Sequence, residues 1–72
     1  MCTIRSETEA VVCDVARDPV RAEMARLLGD TFEAETIHGS GTRFRCLDPA
    51  AASRFLEALR RGQERAAAPG EA

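Results

Sequence analysis

Three cysteines and one histidine (Cys2, Cys13, Cys46 and His38) are the side chains here best suited to chemistry. A thiolate can act as nucleophile, redox centre or soft metal ligand. By count the four make a Cys3His zinc set, but no two share the C-x2-C step that usually closes such a site. No metal and no other cofactor are therefore expected. Three thiols cannot all pair within one chain, and their spacing is not a disulfide framework. Unpaired thiols fit a reducing compartment. Were Met1 removed, Cys2 would be an N-terminal nucleophile with its own amine as base. That chemistry needs a larger scaffold to hold substrate. Redox sensing by Cys13 or Cys46 requires an exposed thiol near positive charge, which the sequence does not establish.

His38 is an isolated imidazole and a possible general base. It has no nucleophile or carboxylate partner at a recognisable spacing, so it reads as a residue flanking a turn. Gly39-Ser40-Gly41 resembles a phosphate loop only in composition. Such loops hand the anion to a following helix N-terminus, and here a strand follows. No catalytic residue is assigned, and the chain is not expected to be an enzyme.

All ten basic residues are arginine, and thirteen residues are alanine. This is the composition of a GC-rich coding sequence. Without lysine, Schiff-base catalysis by a lysine side chain is excluded. Residues 1–36 hold 4 Arg and 8 acids, whereas residues 37–72 hold 6 Arg and 4 acids. This weak dipole is no nucleic-acid footprint, which needs a strongly basic face. Arg54, Arg60, Arg61 and Arg65 lie along one C-terminal helix with acids between them, as on a solvated face. Arg43 and Arg45 alternate along a strand. Arg43, Arg45, Arg54, Arg60 and Arg61 are the candidate interaction surface.

The elements that position these residues begin ambiguously. Ser6-Glu7-Thr8-Glu9 matches a capping box, a hydroxyl with a glutamate three residues on. The alternation through Val11, Cys13 and Val15 favours strand instead. A strand would need a turn at 6–9 with no Gly, Pro or Asn, so a helix from Ser6 is preferred, after a short strand at 2–5. Asp18-Pro19 restarts or continues helix, with Val20, Met24, Leu27 and Leu28 as its apolar stripe. Gly29 is the expected left-handed stop.

A hairpin follows from Phe32 to Leu47. Parity demands that paired residue numbers sum to an even value if Phe32, Ala34 and Thr36 share a face with Phe44 and Cys46. A three-residue loop at 39–41 satisfies this. It pairs His38 with Thr42, Thr36 with Phe44 and Ala34 with Cys46, and sets Glu35 against Arg45 with Arg43 on the diagonal. Asp48-Pro49 opens the last helix. Its expected buried stripe is Ala52, Phe55, Leu56 and Leu59, and Glu57–Arg61 is a favourably ordered pair. Gly62 is read as the end of the packed part. The chain then divides into one α+β domain at 1–65 and a frayed tail at 66–72.

Thr3-Ile4, Cys13 and Gly29 recur as Thr36-Ile37, Cys46 and Gly62, all offset by 33 residues. A duplicated ββα unit would produce this echo. The two Asp-Pro pairs stand 30 apart, so coincidence is the preferred reading. The fold class is thus α+β, a small antiparallel sheet with helices on one face. Its order is β-α-α-β-β-α, or ββαββα if 10–16 is strand.

With the helical reading, the chain resembles the small dimerising subunit of the KEOPS tRNA-modification complex. The likeness lies in Thr3-Ile4-Arg5-Ser6 leading into Ala10, Val12 and Cys13, in the hairpin, and in the helix with its Ala-Ala-Ala-Ser-Arg-Phe-Leu run. Residues 19–29 are extra helix relative to that pattern, and of the last helix only Arg54 is placed suggestively. The resemblance implies homodimerisation and contact with a catalytic partner, without catalysis of its own.

There is neither a long apolar run nor the apolar core of a signal peptide, so a cytoplasmic home and no membrane contact are expected. A three-stranded sheet of this length leaves edges that proteins usually pair or protect. The leading expectation is therefore a non-enzymatic interaction module, a homodimer or a small subunit of a complex. The alternatives are a KEOPS-like accessory subunit and a thiol or metal protein using Cys13, Cys46 and Cys2. An accessory role at nucleic acid through the arginines is a further possibility.

Overall fold

The computed structural model describes residues 2–37, 39 and 41–67, with side chains from residue 4 onward. His38, Ser40, the Cys2 side chain and residues 68–72 of the expected tail lie outside the described residues. The chain runs β1 (Cys2–Ser6), β2 (Glu9–Val12), α1 (Asp14–Leu28), β3 (Phe32–Ile37), β4 (Gly41–Cys46), a 3-10 turn (Pro49–Ala51) and α2 (Ala52–Ala66). The fold is α+β as expected. All four strands are antiparallel to their neighbours in the order β1-β2-β4-β3, and both helices pack on one face. Two ββα units meet at the central strands β2 and β4, so each half mirrors the other about the middle of the sheet.

The expected helix from Ser6 is corrected: residues 9–12 are strand, and the order is ββαββα. The tight turn at 7–8 needs no glycine because Ser6 closes it, its Oγ accepting from the Thr8 amide at 3.2 Å. A bulge between Ile4 and Ser6 takes up the odd residue. Ala10 and Val12 then point into the core while Glu9 and Val11 face the other way. Burial on one face outweighs the local capping signal.

Helix α1 begins at Asp14, not at Asp18, and continues through Pro19. Its buried stripe is Ala16, Val20, Glu23, Met24 and Leu28, with Leu27 partly covered. Gly29, at φ 63°, ends it and donates its amide to the Ala25 carbonyl at 3.1 Å. Thr31 holds the exit, its hydroxyl donating to the Leu28 carbonyl at 2.7 Å.

The hairpin keeps the expected parity but is shifted by two residues. Thr36 opposes Thr42, Ala34 opposes Phe44 and Phe32 opposes Cys46. The earlier pairs Thr36–Phe44 and Ala34–Cys46 are therefore corrected. β3 ends at Ile37, and Gly41, at φ 100°, already opens β4. A side chain at Gly41 would run into the Val12 carbonyl, so β4 enters the sheet at its one residue without a Cβ. The charged face follows the new register, with Glu35 opposite Arg43 and Glu33 opposite Arg45.

Asp48 opens the last helical segment as expected, its Oδ1 accepting from the Ala50 amide at 3.0 Å. The buried stripe of α2 is Phe55, Ala58, Leu59 and Gly62, with Ala51 before it. Leu56 is 36% exposed and Ala52 half-buried, which corrects the expected stripe. The face is rotated because Gly62 is not a terminus but a contact point. A Cβ there would sit 2.6 Å from Val20 Cγ2 and 2.7 Å from its nitrogen, so the helices approach at backbone distance. The two helices pack on each other along this seam and jointly bury Phe44, Phe55, Met24 and Leu59.

Candidate functional site

The cysteines do not converge. Val12 pairs with Thr42, and Cys46 lies four residues further along β4. That is about 13 Å of strand, and Cys13 lies beyond Val12 in the opposite direction. The two thiols thus occupy opposite ends of the sheet, outside the Cα separation of roughly 7 Å that a disulfide tolerates. Cys46 is buried and its thiol donates to the Asp48 carbonyl at 3.1 Å. It ties the end of β4 to the residue that caps α2. Cys13 is half-buried at the start of α1. The backbone of Cys2 lies opposite Val12, at Cys13's end of the sheet. Among the described residues no three His, Cys, Asp or Glu side chains come together as a metal site.

The arginines split into two groups on opposite sides of the protein. Thr42, Phe44 and Cys46 face the helices, so Arg43 and Arg45 point from the sheet's other face. There Arg43 reaches Glu35 at 2.5 Å and Glu9 at 3.7 Å, and Arg45 reaches Glu33 at 2.8 Å. The Glu35 carboxylate, its closest partner, raises the affinity of Arg43 for its proton. On α2, Arg60 bridges Glu57 at 2.6 Å and Glu64 at 2.7 Å, while Arg61 shares Glu57. Arg60, and after it Arg61, holds the Glu57 carboxyl below the ordinary carboxylate range. Arg54 is exposed and has no ion-pair partner among the described residues. The five arginines therefore do not form one patch, and four of them are balanced by acids already.

Sequence reasoning missed one charged residue inside the structure. Glu23 sits at the seam between the helices with its side chain only 8% exposed. Its two oxygens accept from Arg26 at 2.5 Å and from Arg65 of α2 at 2.8 Å. Arg26 first, then Arg65, lowers its pKa against the opposing effect of burial. A glutamate three residues before an arginine hinted at the local pair. The bond to Arg65, 42 residues away, had no signal in the chain.

An open apolar groove of about 410 Å³ lies where the N-terminus of α1 meets the C-terminus of α2, lined by Cys13, Val15, Ala16, Gln63, Ala66 and Ala67. Gln63 donates its side-chain amide to the Leu59 carbonyl at 3.3 Å, and Cys13 brings a free, half-buried thiol to the lining.

The sheet offers a second surface. Ile4, Ala10, Phe44 and Ala34 form one row across the helix-facing side, and Val12, Thr42 and Thr36 belong to the next. Ala10, Val12, Thr42 and Phe44, on the central strands, are buried. Ile4 on one edge is 57% exposed, and Ala34 and Thr36 on the other are exposed. The helices roof the middle of the sheet and leave both margins open. No helix among the described residues is long and apolar enough to cross a membrane. Comparison with protein-family models, curated proteins and solved structures found no match to the chain.

Proposed function

We propose that this chain is a non-enzymatic interaction module, a homodimer or the small subunit of a cytoplasmic complex. The observation that carries this reading is the incomplete roof over the sheet. Strands β1 and β3 are both edges, and the helix-facing side chains of Ile4, Ala34 and Thr36 stand in solvent. Unpaired strand edges beside exposed apolar side chains suit addition of another chain. The interior is filled by side chains with Phe44 and Phe55 fully buried, which leaves little room to enclose a substrate. A narrower form, the KEOPS-like accessory subunit, is supported by the hairpin and the last helix but not by residues 9–12, which are strand.

Sedimentation analysis of the purified chain at micromolar concentration, with affinity capture from its native host, tests the reading. A dimer or a stoichiometric partner is expected. A stable monomer that recovers no partner would sink it.

A further inference from the structure

We propose that oxidation joins Cys2 to Cys13 in a disulfide that staples β1 to the start of α1. The bond is independent of the interaction reading above. Backbone placement carries it. β1 and β2 form a hairpin with its turn at 7–8, and the open end of that hairpin sets Cys2 opposite Val12. Cys13 follows Val12 and keeps the line of β2. Its backbone is extended, at φ -70° and ψ 162°, and a Cβ on Gly41 of β4 would lie 3.3 Å from its Cα. Opposed residues of antiparallel strands stand about 4.5–5.5 Å apart at Cα, and one further residue adds about 3.4 Å along the strand, so Cys2 and Cys13 lie roughly 6 Å apart. A disulfide takes about 4.4–6.8 Å. Position 2 shares the helix-facing row of Val12, and Cys13 packs against the core at the groove between the helix ends. Cys46 is at the other end of the sheet, buried and bonded to the Asp48 carbonyl. The bulge does not disturb the pairing, because Cys2, Thr3 and Ile4 run in unbroken register with Val12, Val11 and Ala10.

Those three pairs hold the first part of an edge strand. The turn closes one end of the hairpin, and the bond closes the other, so that β1 no longer peels from β2. The oxidant is a low-molecular-weight disulfide. One cysteine of the pair, as thiolate, attacks it and releases one small thiol. The second cysteine attacks the mixed disulfide, the S–S bond forms within the chain, and the second small thiol leaves. The chain gives up two electrons and two protons, and the small disulfide takes up both. Bonds of this kind in a reducing compartment are transient and report oxidation.

Incubation of the whole folded chain with glutathione disulfide, followed by trypsin digestion without reductant and mass spectrometry, tests the bond. Cleavage after Arg5, Arg17, Arg45 and Arg54 puts the three cysteines on separate peptides. Peptide 1–5 joined to peptide 6–17 is expected, in wild type and Cys46→Ser alike, and the link should form at least about tenfold faster than in urea because the fold holds the two cysteines together. The oxidised chain should keep its circular dichroism, and amide hydrogens of β1 should exchange more slowly than in the reduced chain. Glutathione adducts alone, a link to Cys46 or links between chains would overturn the proposal. So would a Cys2–Cys13 link that forms as fast in urea, or one that leaves exchange in β1 unchanged. None of these results bears on whether the chain has a partner.

Discussion

Gly62 of α2 lies against the backbone of Val20 of α1, with no space between them for a methyl group. Alanine is the better helix former by about 1 kcal/mol, so local propensity alone favours Gly62→Ala. The contact should reverse that sign. Forcing the helices apart costs roughly 1–3 kcal/mol of overpacking, and Gly62→Ala should lower the urea midpoint. A variant as stable as wild type would show that the seam is looser than described.

The rotated face of α2 separates two leucines. Leu59→Ala should cost about 2–5 kcal/mol, because its side chain is fully enclosed. Leu56→Ala should change stability by about 0.5 kcal/mol, as an exposed position does. Equal losses at the two positions would restore the stripe expected from spacing alone. Chemical denaturation decides between them.

Thr42 contributes a buried hydroxyl that has no hydrogen-bond partner among the described residues. Leaving such a group unpaired costs roughly 1–3 kcal/mol. Thr42→Val keeps the shape and removes the hydroxyl, so it should raise the thermal midpoint. A clear loss of stability would mean that the hydroxyl has a role in the fold.

Glu23 sets an acid limit. Its folded pKa is lowered below the ordinary carboxylate value, first by Arg26 and then by Arg65. A group with a depressed folded pKa binds fewer protons in the folded state than in the unfolded one. Its stabilisation is complete above about pH 5 and is lost as pH falls through the lowered value. Glu23→Gln should therefore flatten the decline of stability in acid while leaving the slope near neutral pH unchanged. Glu57, lowered in the same direction by Arg60 and Arg61, is more exposed, so salt should weaken its share more. A pH series of denaturation midpoints for both glutamine variants gives the comparison. An acid slope unchanged in Glu23→Gln would show that the contacts of Glu23 with Arg26 and Arg65 do not stabilise the fold.

Thiol reagents should distinguish the two cysteines with described side chains. Cys13 is half-buried and should label while the protein stays folded. Cys46 is buried and bonded to the Asp48 carbonyl, so its labelling should wait for opening of the end of β4. Mass spectrometry of timed samples reads this order. Equally fast labelling of both would revive a thiol function for Cys46.

Much of the fold was legible in the chain because local signals agreed with it. Gly29 and Asp48-Pro49 mark helix ends through backbone chemistry that tertiary packing does not override. Hairpin parity followed from strict side-chain alternation. What failed was decided between distant segments. Residues 9–12 carried a real capping signal, and only pairing with β4 makes them strand. The two-residue shift of the hairpin turns on Gly41, whose close approach to Val12 no hairpin argument contains. Gly62 looked like a terminator because its neighbour in space, Val20, is 42 residues away. The candidate arginines were correctly placed on strand and helix, but only the layer order shows that they face opposite ways. The 33-residue echo does not follow the paired ββα units: Ile4 lies in the helix-facing row whereas Ile37 alternates away from it, Cys13 follows β2 whereas Cys46 ends β4, and Gly29 ends a helix whereas Gly62 sits within one.

The paired halves also bear on how the chain can be cut. Each ββα half, taken alone, would bare one side of its inner strand and the seam of its helix. Neither half can be a smaller version of the whole. Two peptides divided near residue 30 should each be unstructured and should regain order only when mixed. In this molecule the smallest foldable unit is the whole pairing, already bound to its own likeness.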